Sequence, residues 1–228
     1  MGKFRNDFAI CSDIFKRLVM RLCIFGADGR TGVEVVRYAK FCGVDITAFV
    51  YSDTSQFNLL DGVRVQKGDV MNYDQVKEAM RGADAVISVL GHIKGSDPRM
   101  QTKGMENIVR VMKGLGVKRV LSLTGTGARV VGDTPSIADR FLNLGVALVD
   151  PERIQDGIEH ARVLEESGLD YTIVRVLKLG NSTADVGVVK LTNGGPAEFV
   201  TSRKKVAKVL VDLINDTAYI GKQPVISG

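Results

Sequence analysis

Seven residues, Gly26-Ala27-Asp28-Gly29-Arg30-Thr31-Gly32, have the types and spacing to hold a dinucleotide. Glycines spaced as GxxGxxG let a backbone turn tightly, approach a pyrophosphate closely and pack a helix onto a strand. The loop follows a short apolar run, Leu22–Phe25, and opens an amphipathic stretch, Thr31–Phe41, in which Val33, Val35, Val36 and Tyr38 recur with mostly helical spacing. A strand, a glycine loop and a helix in that order aim free amides and a helix dipole at a bound anion. The plain alternative is a glycine-rich turn; the position directly after the first strand favours the dinucleotide. NAD-preferring sites usually carry an acid at the end of the second strand. Here Val50 is followed by Tyr51 and Ser52, and Asp53 comes later. Arg30 is then the best partner for a 2′-phosphate, because a guanidinium donates two parallel bonds, with Ser52 as a further donor. NADP is the expected cofactor and NAD the alternative.

The elements that must position this loop follow from hydrophobic periodicity. Strands are predicted at Leu22–Phe25, Ile46–Val50, Val63–Gln66, Ala85–Leu90, Arg119–Leu123 and Tyr171–Val174. Between them lie helices at Thr31–Phe41, Tyr73–Met80 and about Met100 to Leu115, then Pro135–Val149 and Pro151–Ser167. The alternation predicts an α/β fold, a doubly wound parallel sheet with ligands at the carboxyl ends of the strands. A small substrate-side hairpin is expected over Val186–Leu191 and Glu198–Val200, turning at Asn193-Gly194-Gly195. A last helix, Ser202–Ile214, and an edge strand, Pro224–Ile226, complete the pattern. One domain is expected over residues 20–228, preceded by an extension, 1–19, with a short helix around Ile14–Val19.

Composition narrows the function. The 228 residues are 45% hydrophobic with a net charge of +5, enough for a buried core. The basic residues are scattered, with Arg203-Lys204-Lys205 the one short run, so nucleic acid is not expected as a partner. No apolar stretch approaches the ~18 residues that span a bilayer, and no membrane association is expected. Cys11, Cys23 and Cys42 form no CxxC pair, which points to a reducing, cytoplasmic setting. With His92 and His160 the only histidines, no metal site is expected. Monomer and dimer both remain open.

Several segments together resemble the atypical short-chain dehydrogenases. They are the run Gly26–Val36, Gly68-Asp69-Val70, Ser88-Val89-Leu90-Gly91, and Ser167-Gly168-Leu169-Asp170-Tyr171-Thr172-Ile173-Val174-Arg175. The nearest branch is the NmrA-like group, including small flavin reductases of the biliverdin reductase B type, and the resemblance spans roughly Met20 to Gly228. It implies that Asp69 and Val70 border the adenine, although Asp69 also fits a helix-capping loop. It places Leu90 and Gly91 against the ribose, Thr124 on the nicotinamide side and Leu177 on the far wall of that pocket.

The chain departs from this pattern where acid–base chemistry belongs. No Tyr-x-x-x-Lys pair follows the fifth strand, where tyrosine would donate the proton and lysine would lower its pKa. Thr124-Gly125 stands where relatives often carry Ser-Ser. Gly157, after Asp156, replaces a lysine or histidine, and Arg175-Val176 replaces Arg-Pro. Two readings follow. One is an NADPH-dependent reductase of the flavin or quinone type, whose acceptor needs little protein acid catalysis. The other is a non-catalytic redox sensor or scaffold; a sugar-nucleotide epimerase or dehydratase is a further variant of the enzyme reading. Thr124 is the candidate catalytic residue. His92 reads as a surface loop histidine, His160 as a solvated or semi-buried helix residue, and Tyr171 as core. Asp133, Asp139 and Arg140 are expected near the substrate mouth, with Lys178 just past the sixth strand.

Overall fold

The computed structural model describes residues 20–52, 57, 62–93, 95–181 and 186–227. The expected extension, 1–19, and Asp53 lie outside them. In chain order the elements are β1 (Arg21–Phe25), α1 (Arg30–Phe41), β2 (Asp45–Val50), β3 (Val63–Lys67), α2 (Tyr73–Met80), β4 (Ala85–Ser88) and α3 (Met100–Leu115). There follow β5 (Arg119–Gly125), α4 (Ile137–Val149), α5 (Pro151–Glu165), β6 (Asp170–Val176) and β7 (Leu179–Gly180). The last are β8 (Lys190–Thr192), β9 (Thr201–Ser202), α6 (Arg203–Asp212) and β10 (Val225–Ser227).

Strands β3-β2-β1-β4-β5-β6-β10-β8 form one sheet, parallel throughout except for β8, which runs antiparallel to β10. Alternation along β1 builds two cores. Leu22 and Ile24 join Val33, Val35 and Val36 of α1 and Val206, Val209 and Leu210 of α6 on one face. Cys23 and Phe25 point to the other face, against Val76 of α2, Met105 and Ile108 of α3 and Leu164 of α5. A strand apolar on both sides therefore sits at the centre, covered on both faces as parallel sheets require.

Two C-terminal expectations are corrected. The hairpin between Val186–Leu191 and Glu198–Val200 does not form, because β8 pairs with β10 instead, Val225 opposite Thr192 and Ser227 opposite Lys190. For the same reason Pro224–Ile226 is not an edge: β10 lies between β6 and β8. The Asn193–Gly195 turn serves another partner, with Thr134 N donating to Gly194 O at 2.8 Å. Ser202 does cap the last helix, its hydroxyl accepting from Lys205 N.

Candidate functional site

Strand order reverses between β1 and β4, since the chain leaves β1 toward β2 and later returns to β4 on the opposite side. Such a switch point opens a crevice at the carboxyl ends of the strands. The glycine loop fills its floor. Gly26 has φ +73°, a left-handed conformation that glycine adopts without strain. A Cβ there would stand 2.9 Å from Val89 O, on the neighbouring strand end. Gly29 is the N-cap of α1 and offers no side chain to the helix. A Cβ on Gly32 would fall 2.1 Å from Gly26 O and 2.7 Å from Ala27 Cα, so the first turn of α1 rests directly on the loop. Side chains cap α2, α4, α5 and α6 from Asn72, Ser136, Asp150 and Ser202. At α1 there is neither a capping side chain nor an acid in the first turn. The amide end of α1 and the three glycines of the loop fit a pyrophosphate, which would supply the missing acceptors.

The rim of the loop is built by Asp28 and two arginines. Asp28 Oδ2 accepts from Tyr51 N at 3.0 Å, Ser52 N at 2.9 Å and Ser52 Oγ at 3.2 Å. Its carboxylate thus ties the loop to the end of β2 and fixes the positions of Tyr51 and Ser52. Thr31 is buried in the first turn of α1, while Arg30 is exposed. Arg203, at the start of α6, donates to Asn181 Oδ1 at 2.6 Å. Burial, and then the charge of Arg30, lower the Arg203 pKa. Arg203, at the start of α6, therefore lies within electrostatic reach of Arg30, at the start of α1. Arg203 was not singled out from sequence because only the packing of α6 beside α1 brings it there.

Beyond the loop, Asp69 Oδ1 accepts from Met71 N at 2.9 Å, a local turn that follows β3, and Asn72 rather than Asp69 caps α2. Val70 is buried. A Cβ on Gly104 of α3 would meet Val70 Cγ1 at 3.0 Å and Leu90 Cδ1 at 3.1 Å, so glycine lets both side chains pack closely against this helix. Asn107, a further residue missed from sequence, donates to Val70 O and Met71 O, both at 3.0 Å, and holds the segment in place. Gly91 is exposed past β4.

Thr124 lies inside β5, which extends to Gly125 rather than ending at Leu123, and its side chain is buried. A Cβ on Gly157 would come 3.1 Å from Thr124 Oγ1. Any side chain at position 157 would therefore lie over Thr124; glycine leaves that space clear. Leu177 is half-buried just after β6, and Lys178 is exposed.

The ionisable residues around Thr124 do structural work. Asp156 is buried and caps α3 from α5: Oδ2 accepts from Gln101 N and Oδ1 from Thr102 N, both at 2.9 Å, and Thr102 Oγ1 donates to Oδ1 at 2.5 Å. His92 is correspondingly not a free surface histidine. Its Nε2 comes within 2.9 Å of Asp156 Oδ2, though off the axis a hydrogen bond needs. His160 is not solvated either. It is 2% exposed, with Nε2 2.8 Å from Ser122 Oγ on β5. Burial pushes its pKa down to about 4, outweighing the Asp156 charge and the Gly157 carbonyl that favour the proton.

Two more expected mouth residues are structural. Asp133 forms a two-pronged pair with the fully buried Arg175, Nη1 to Oδ2 at 2.5 Å and Nη2 to Oδ1 at 2.8 Å. Burial alone would raise the Asp133 carboxyl, but the Arg175 hydrogen bond holds it below its ordinary value. Buried Asp139 accepts from Arg129 Nη2 at 2.5 Å and Asn143 Nδ2 at 2.6 Å. Arg140 points outward. Tyr171 is half-buried, its hydroxyl donating to Gly221 O. The chain's one Tyr-x-x-x-Lys spacing, Tyr73 to Lys77, belongs to α2, where Arg110 covers the Tyr73 ring at 4.1 Å.

Among the described residues, no group of three or more His, Cys, Asp or Glu side chains could hold a metal, and no helix is long and apolar enough to cross a membrane. Residues 26–217 match the NAD(P)H-binding family. A short-chain dehydrogenase/reductase of Veillonella parvula, crystallised with NADP, superposes with a TM-score of 0.77 at 18% identity, covering 92% of this chain and 95% of that one. An anaerobillin reductase of Escherichia coli superposes with a TM-score of 0.73 at 21% identity, over 91% and 96% of the two chains. In sequence, a 2-alkyl-3-oxoalkanoate reductase of Shewanella oneidensis is 25% identical over 143 residues, 58% of this chain. The matched stretch spans 37% of that relative's length.

Proposed function

The chain belongs to the NAD(P)H-binding family, and from that premise we propose that it is an NADPH-dependent reductase whose acceptor brings its own proton chemistry, of the flavin or quinone type. The observation that carries this reading is the contrast between the two halves of the crevice. Gly26, Gly29 and Gly32 form a cradle that side chains would fill. Around Thr124, by contrast, Asp156 and His160 are buried in structural bonds, and Gly157 supplies no acid. A reduced nicotinamide, when bound, supplies a hydride. The protein's part is then to bind and orient. Arg30, with Arg203 beside it, offers charge to a phosphate, and Ser52 on the rim offers a hydroxyl. Thr124 offers a hydroxyl near the carboxyl end of β5, suited to holding the carboxamide or the reduced acceptor. Reductase names among the similar proteins support the class of reaction.

The test pairs binding with turnover. NADPH is expected to raise the melting temperature, because a ligand of the folded state stabilises it by mass action. NADPH consumption with FMN or menadione is expected to be measurable. Thr124→Val is expected to slow it about tenfold, a barrier change of about 1.4 kcal/mol, with NADPH affinity nearly unchanged. Tight NADPH binding with no turnover on any flavin, quinone, carbonyl or sugar nucleotide would replace this reading with the redox sensor.

A further inference from the structure

Helix α4 is turned inside out. Its polar residues Asp139 and Asn143 face the protein, bonded to Arg129 and Thr126 in the loop after β5. Its large apolar residues face out: Ile137 is 75% exposed, Phe141 70%, Leu144 56%, Leu148 77% and Val149 87%. Residues 137, 141, 144 and 148 are spaced four, three and four apart, the seam spacing of paired helices. Exposed Gly145 lies beside the middle of the seam, where a second backbone could approach.

We propose that this face is a two-fold dimer interface, in which α4 packs antiparallel against α4 of a second copy. Area favours this occupant. The exposed seam offers about 600 Å² per copy, hence roughly 1,200 Å² in a pair, the lower bound of stable interfaces. Charge agrees with it. Antiparallel packing sets the positive amino end of one helix, with exposed Arg140, beside the carboxyl end of the other, where exposed Asp150 and Glu152 outweigh exposed Arg153. A self-complementary patch of this kind closes on itself, as a two-fold interface must. A lipid surface fits less well. Interfacial helices carry Lys and Arg along their polar face. The polar face of α4 is spent on the protein core, and Arg140 is its only basic residue.

The experiment is sedimentation of the full chain at tens of micromolar, with Phe141→Glu and Leu144→Glu. The parent is expected at twice the 24.7 kDa chain mass. Each variant removes an anchor twice per dimer, so its dissociation constant is expected to rise about a hundredfold. Melting transitions and the NADPH-induced shift are expected to persist, because both side chains are already exposed in the single chain and neither belongs to the glycine loop. A parent that stays monomeric overturns the proposal, and flotation of that monomer with phosphatidylglycerol vesicles would assign the face to lipid. A dimer that survives both substitutions overturns it too, since another surface would then hold the copies together.

Discussion

Acidification from pH 7.5 to 5.0 should destabilise the protein through one imidazole. His160 is buried, and its pKa in the folded chain is pushed down to about 4, against about 6.5 when unfolded. The neutral ring suits its site. One tautomer donates to Ser122 Oγ and the other accepts from it, whereas the charged ring would need a second acceptor at Nδ1, which has no aligned partner. A depressed imidazole pKa means that the unfolded chain takes up a proton first. The associated stability is whole above about pH 7, falls between about 6.5 and 4, and is gone below. The full difference is about 3 kcal/mol, of which about 2 kcal/mol is lost by pH 5.0. Urea unfolding at both pH values measures it, as does a melting temperature lower by about 4–8 °C. His160→Gln cannot titrate, so its pH-dependent loss should be smaller by about 2 kcal/mol than the parent's, whatever its starting stability. Equal losses in parent and variant would refute the argument, as would an imidazole that titrates near its ordinary pKa by NMR in the folded protein.

Three further outcomes follow from the described contacts. Gly32→Ala drives a methyl into Gly26 O and Ala27 Cα; both are backbone, so a loss of about 3 kcal/mol or more in urea is expected, and a tolerated alanine would mean the loop can recede. Arg30→Ala should weaken NADPH about tenfold and NADH much less, by calorimetry; equal weakening would assign Arg30 to the pyrophosphate. Asp133→Ala leaves the Arg175 guanidinium fully buried without its carboxylate, which should cost about 3–5 kcal/mol in urea unfolding. A loss under about 1 kcal/mol would show that the Ala128 and Gln223 carbonyls suffice for that cation.

What the sequence revealed was local. The loop Gly26–Gly32, the five strands before α4 and the Ser202 cap depend on neighbours within a few residues, and periodicity carries that information. Pairings between distant segments were hidden. Asn193-Gly194-Gly195 looks like a hairpin turn, yet β8 chose β10 across a separation of more than thirty residues, because the open flank of β6 needed a strand. The histidines were misjudged for a related reason. Position 160 falls on a helix in any reading, but only the packing of α5 on the sheet decides that it faces Ser122. Asp156 shows the same limit: its duty lies 54 residues away, at the start of α3. In α4 the apolar stripe is plain, but by itself it points inward, and buried Asp139 reverses it.

The place of β10 bears on how the chain is made. During synthesis the strands β1 to β6 emerge first and can assemble in order, each beside a neighbour already present. The free flank of β6 must then wait, with Arg175 N lacking the Pro224 carbonyl that later receives it. The strand that closes that flank and gives β8 a partner, β10, follows all the others in chain order. A nascent chain in which β10 has not yet been made carries a raw sheet edge of buried-type residues, Thr172 to Val176, the kind of surface that recruits other chains. Ribosome stalling ahead of β10, or its deletion, would therefore show up as aggregation before any loss of the glycine loop.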